Sequence, residues 1–346
     1  MAARARVARR KRVHRKRMPV RRPPKRQRLH DEYVASSEEA LVSRILEHRD
    51  QRGVPEDSIL LISLLSNLTP SMVEVSRRAG IRTGRHLFSA MNSQKRYIFY
   101  EESIEDLIRF FEHAGYRNVS YNVFPDMVRV QMHDKCHEYL GVNLHSFEAG
   151  LMSGYITAAK KQYVNISEHD CSNNGSDYCD FMPGYGSGKS GDAKGAIERF
   201  VWHIVRQSEG REKNAETTIS PAYFLLSASP TMEKEYQREM QHIGRYIGEK
   251  IGEGLFQGRR KQSPAHAMAK IERVARLLNI GEVTVKSLNP IKVDVLFDRS
   301  HSRSEFVDLS IALLGGLLKE YLNEGTKISR EARKSAYMVK IAGKPT

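Results

Sequence analysis

In the stretch Glu168-His169-Asp170-Cys171-Ser172-Asn173-Asn174-Gly175-Ser176-Asp177-Tyr178-Cys179-Asp180-Phe181, two of the chain's three cysteines stand eight positions apart. Gly175 lies midway, and glycine admits the positive-φ turn that would bring both sulfurs to one point. Glu168 precedes Cys171 by three residues, at the end of the alternating, strand-like run Tyr163-Val164-Asn165-Ile166-Ser167. Thiolate, imidazole and carboxylate are the donors zinc takes, four at a time in a closed structural site. The best upstream candidate for the fourth donor is His145, at the mouth of the segment Phe147–Tyr155. In that segment Gly150 and Gly154 share one helical face and allow a close approach. Two other readings stay open on spacing alone. One is a disulfide, which rarely persists in the cytosol. The other is a pair of ordinary buried thiols, since free cysteine is among the most buried residue types.

The pattern Glu-x-x-Cys-x-x-x-Gly-x-x-x-Cys-x-Phe, preceded by an apolar Gly-x-x-x-Gly segment, resembles the signature of the 4-vinyl-reductase domain family. Members are mostly small-molecule-binding domains, found in archaeal hydrocarbon-binding proteins and in the aromatic-sensing halves of bacterial transcription activators. The resemblance implies a structural zinc held by Glu168, Cys171 and Cys179, with His145 where the aromatic sensors have a further cysteine. It also implies an antiparallel sheet covered by helices, like the vesicle-tethering TRAPP subunits and the ligand-binding domains of nitric-oxide signalling. Such a fold encloses an apolar cavity for a small apolar or aromatic ligand. Phe88, Phe110, Phe111, Tyr121 and Phe124 are the candidate lining here, against the plainer reading of each as core.

The formal net charge is +15, with 56 Lys plus Arg against 41 Asp plus Glu. Fourteen of the basic residues and none of the acidic ones lie in residues 1–28, so the remaining 42 basic side chains nearly balance the 41 acidic ones. Residues 1–35 are therefore expected to form a disordered basic arm, with too little apolar content to offset its ordering entropy. Arg9, Arg10, Lys11, Arg12, Arg15, Lys16, Arg17, Arg21, Arg22, Lys25 and Arg26 are its candidate nucleic-acid contacts. Guanidinium groups pair bidentately with phosphate, so ribosomal RNA or DNA is the expected partner. No helix-turn-helix or zinc-finger spacing points to base reading. No apolar run reaches the length of a membrane span, and nothing at the N-terminus reads as a signal peptide; the expected location is cytoplasmic.

The chain also repeats. Leu68-Thr69-Pro70-Ser71-Met72 returns as Ala228-Ser229-Pro230-Thr231-Met232, each after an apolar run, and the glycines of Gly80-Ile81-Arg82-Thr83-Gly84 return at Gly244 and Gly248. Helical segments at 104–113 and 268–278 are each followed by a strand pair, 119–123 with 127–132 and 283–287 with 291–297. Phe147–Gly154 is answered by Leu309–Gly316. The expected organisation is α+β: two tandem copies, 36–184 with the zinc site and 193–346 without it, joined by the Gly/Ser linker 185–192. In the second copy Glu331 falls near the place of Glu168, Lys334 near that of Cys171 and Asp308 near that of the upstream ligand, and no cysteine follows.

No catalytic set is visible. Gly186-Ser187-Gly188-Lys189-Ser190 lacks the spacing of a phosphate loop, and no dinucleotide fingerprint occurs. A four-donor zinc leaves no open position for catalysis. The expectation is a non-enzymatic, zinc-containing binding protein tied to nucleic acid by its arm. The alternatives are an enzyme acting on a tetrapyrrole or aromatic compound, or a protein-tethering scaffold; a homodimer remains open.

Overall fold

The computed structural model describes residues 38–47, 53–124, 127–133, 140–172, 175–184, 192–210, 217–233, 236–256, 263–288, 290–298, 304–322, 327–332 and 336–343. Of the sequence expectations, the basic arm, the Gly186–Ser190 segment and Lys334 lie outside them. Residues from Glu38 onward form one compact unit.

The first half opens with helix α1 (38–46), strand β1 (Val54–Pro55), and helices α2 (Glu56–Asn67), α3 (Pro70–Lys95) and α4 (Tyr100–Ala114). Strands β2 (Arg117–Val123) and β3 (Val128–His133), helix α5 (Ser146–Lys160), and strands β4 (Ile166–Asp170) and β5 (Cys179–Pro183) complete it. The second half repeats this order: α6 (Ala193–Glu209), β6 (Thr217–Ile219), α7 (Pro221–Ala228), α8 (Gln237–Phe256), α9 (Pro264–Leu277), β7 (Glu282–Leu288), β8 (Ile291–Asp298), α10 (Ser304–Leu317), β9 (Lys327–Ala332) and β10 (Ala336–Ala342). Each half contributes a four-stranded antiparallel sheet, ordered β2-β3-β5-β4 and β7-β8-β10-β9. The two orders are the same walk along the chain, as an internal repeat requires.

Local sequence accounts for several boundaries. Thr69 caps α3 by accepting the Met72 amide and is followed by Pro70 at the first helical position; Ser263 and Pro264 do the same for α9. Gly115, at φ 106°, ends α4 in the left-handed region. The run Ile59–Leu65, ambiguous as sequence, is part of helix α2, and every residue from Ile59 to Ile62 is buried. The expected strand 163–167 starts three residues late: Tyr163 is 71% exposed, and pairing runs from Ile166 to Asp170.

Glycine sets the closest packing of the fold. A Cβ on Gly84 would lie 2.0 Å from the Leu151 carbonyl oxygen, and one on Gly154 2.1 Å from that of Ile81, so α3 and α5 touch backbone to backbone. In the second half Gly248 meets the Leu313 carbonyl and Gly316 that of Arg245, each at 2.1 Å. Gly315, one residue before Gly316, would meet nothing within 4 Å. The two neighbours should therefore respond oppositely to alanine. Gly315→Ala should stabilise by about 0.5–1 kcal/mol, from reduced unfolded-state freedom in a helix. Gly316→Ala should destabilise by about 3 kcal/mol by forcing two helices apart. Chemical denaturation of the two variants checks the pair; equal shifts would show that the crossing is not tight there.

The halves share a core. Strand β1 pairs with β6, and the Ser220 amide donates to the Ala114 carbonyl. His203 of α6 lies 2.7 Å from Asp57 of α2. Tyr223 of α7 is wholly buried among Phe110, Tyr116 and Phe147. No single described helix is long and apolar enough to cross a membrane.

Candidate metal centre

One of the two inner strands of the first sheet, β5, begins with Cys179, which pairs with Met132 of β3. On its other side Glu168 pairs with Phe181 and Asp170 with Asp180, so β4 carries an irregularity at its end. That shift lets the chain leave β4 with Cys171 turned back toward the sheet. Gly175, at φ 93°, supplies the tight return between the two cysteines. The fourth residue arrives from the loop before α5, where His145 is the N-cap. This loop is pinned twice: Asn67 donates to the Leu144 carbonyl at 2.8 Å, and Arg199 of α6 donates to that of Leu140 at 2.6 and 2.9 Å.

These devices bring His145, Glu168, Cys171 and Cys179 together, with one donor atom from each inside a 4.8 Å span and all four buried. His145 Nδ1 lies 2.7 Å from Glu168 Oε1 and 3.7 Å from Cys171 Sγ, and the two sulfurs are 3.9 Å apart. Tetrahedral donors at zinc-like bond lengths would put sulfur and sulfur about 3.8 Å apart, sulfur and nitrogen about 3.6 Å, and nitrogen and oxygen about 3.3 Å, so the sulfur distances match while the His145–Glu168 contact is a hydrogen bond that a bound ion would have to open. The sulfur–sulfur separation is far beyond the ~2.05 Å of a disulfide, and both cysteines are free. The group can hold a metal ion.

Its electrostatics favour a cation. The hydrogen bond with Cys179, then burial, then the Glu168 carboxylate push the Cys171 thiol well above its ordinary value, and His145 opposes them only in part. Two thiolates and a carboxylate in a closed pocket need a multivalent cation to ionise together. The Ser172 amide and hydroxyl reach Cys179 Sγ at 3.5 and 3.3 Å and supply outer support. Behind the site, Arg129 of β3 clamps the buried Asp180 carboxylate with two bonds of 2.8 and 2.9 Å, which fixes β5 beside Cys179.

In the second half the equivalent place holds no such group among the described residues. Gly84 sits on the Leu151 carbonyl as Gly248 sits on that of Leu313, and one turn earlier Gly80 faces Phe147 as Gly244 faces Leu309, there through the leucine side chain. His145 therefore corresponds to the buried Val307, one residue before the expected Asp308. Asp308 itself accepts hydrogen bonds from Gln237 and Arg330.

The five candidate pocket residues are dispersed in role. Phe110 and Phe111 are fully buried, on Tyr223 and Tyr116 respectively, and Phe88 packs edge-on against Tyr155 at 5.4 Å. Tyr121 is partly buried on strand β2, and Phe124 is 46% exposed. His86 faces the buried Glu38 carboxylate, which Arg82 also grips. The sequence reading missed a polar trio inside the apolar core: Tyr116 and Tyr223 each donate a hydroxyl hydrogen bond of 2.8 Å to Glu148 of α5. Glu148 sits within an apolar helical segment, and nothing local pairs it with a tyrosine 75 residues away.

Comparison of the chain with known protein families, with curated proteins and with solved structures finds no match.

Proposed function

We propose that the chain is a non-enzymatic binding protein of the 4-vinyl-reductase type, with one structural zinc in its first half and a small apolar or aromatic ligand as cargo. The basic arm ties it to nucleic acid. The observation that carries this reading is the closed, buried set His145–Glu168–Cys171–Cys179, whose donor types and spacing suit tetrahedral zinc. Four protein donors leave no open coordination position, so the metal's contribution is to folding and shape rather than to a reaction. The repeated element order and the strand order common to both sheets agree with a duplicated unit whose second copy lost the ligands.

The test is native mass spectrometry of the full chain purified from its own host, with elemental analysis of the same sample. One zinc per chain together with a retained small molecule or RNA is the expected result. Metal-free protein refutes the zinc. A co-purifying protein without ligand or RNA would favour the scaffold reading instead.

A further inference from the structure

We propose that Glu148 and Tyr223 are positioning residues for the metal centre, so that the second half of the chain helps to set the metal affinity of the first. The inference rests on the metal reading above.

Three observations lead to it. Glu148 is 2% exposed, and its carboxylate is held by two hydroxyl donors, one of them from Tyr223 in α7 of the second half. Burying a carboxylate is costly, and hydrogen bonds to its charged form offset that cost only while they are kept in place. His145 stands three residues earlier, and its carbonyl accepts the Ala149 amide at 2.9 Å, the first bond of the helix that carries Glu148. His145 is the N-cap, just outside the helix and tied to it by that bond, so fixing Glu148 in the first turn fixes where the helix begins and where the chain at His145 joins it.

The third observation is the repeat itself. Val307 stands in the place of His145, and by the same register the buried Ser310 stands in that of Glu148. Ile280 stands in the place of Tyr116: each donates its amide to the carbonyl five residues back, Tyr116 to Phe111 and Ile280 to Ala275, both at 2.9 Å. Among the described residues, the frame thus closes without the trio in the half that lacks a four-donor group, and carries it in the half that has one. Arg199 of α6 grips the loop before His145 at Leu140, so the second half holds the chain on both sides of His145, through Arg199 before it and Tyr223 after it.

Tyr223→Phe removes one hydroxyl and keeps the ring. In the full-length protein, zinc affinity is measured by competition with a chromophoric chelator, and the cobalt(II) absorption spectrum is recorded alongside. The expected result for Tyr223→Phe, and for Glu148→Gln, is zinc binding weakened about fivefold or more with the cobalt–thiolate band shape unchanged, because the donors are intact while their placement is not. Phe297→Leu, a core change in the second half's sheet, is the control; it should lower stability and leave zinc affinity at the wild-type value. By reciprocity, zinc should slow amide exchange in α7 of the wild-type chain.

Wild-type zinc affinity in both variants, an equal loss in Phe297→Leu, or α7 exchange indifferent to zinc would each overturn the coupling. A wild-type chain that takes up no zinc overturns the metal reading itself, so the two failures are distinguishable.

Discussion

With zinc bound as proposed, Cys171→Ser should release the metal and, with it, most of the stability of the first half. The sulfur it removes is one of four buried donors, and the three that remain, His145, Glu168 and Cys179, stay buried together. A serine hydroxyl does not replace a thiolate as a zinc ligand, and a carboxylate left beside unmetallated polar groups bears its desolvation cost alone. Metal that binds only the folded state stabilises it by RT ln(1 + [Zn]/Kd), about 4 kcal/mol at a free concentration a thousandfold above Kd. That term should vanish in the variant and in chelator-treated wild type. The loss should appear first in amides of β4, β5 and α5, and only afterwards in the sheet β7-β8-β10-β9. Zinc content by elemental analysis and exchange-resolved unfolding check both parts. A variant that keeps stoichiometric zinc would remove Cys171 from the donor set.

The sequence reveals this site and the frame around it to different depths, for physical reasons. Donor types can be read from residue identities, and Gly175 announces a turn because few other residues take its backbone angle. The strand pairs were legible because alternation is a local signal: β3 buries Val128, Val130 and Met132 and turns the residues between them outward. The run Ile59–Leu65 carried no such signal. Helix α2 lies between other elements, so nearly every position faces protein and the period disappears. The late start of β4 is of the same kind: Tyr163 and Val164 alternate like a strand, yet among the described residues the ladder with β5 begins only at Ile166, opposite Pro183. Glu148, Tyr116 and Tyr223 were illegible altogether. Their meeting is a product of the shared core, in which a helix of one half enters the other, and no spacing along the chain encodes it.

Removing residues 1–28 should abolish binding to nucleic acid and leave zinc content and the stability of the folded unit unchanged. The expectation follows from where the charge sits. Those residues hold fourteen basic side chains and no acidic one, while the rest of the chain has 42 basic against 41 acidic. Many of the cations beyond the arm are already engaged, Arg129 with Asp180 and Arg82 with Glu38 among them, and so attract phosphate weakly. Arginine-rich arms bind backbone phosphates by releasing counterions, and log affinity falls with log salt by roughly 0.7 to 0.9 per contact. With six or more contacts, affinity should drop about a thousandfold or more between 50 and 200 mM salt. Sequence preference should be slight, because no base-reading element accompanies the arm. Salt titrations of the full-length and truncated chains against duplex DNA, single-stranded RNA and ribosomes make the comparison. A truncated chain that binds as tightly as the whole would place the contact surface on the folded unit, where the net charge is close to zero, and recognition would then have to come from local geometry instead of charge.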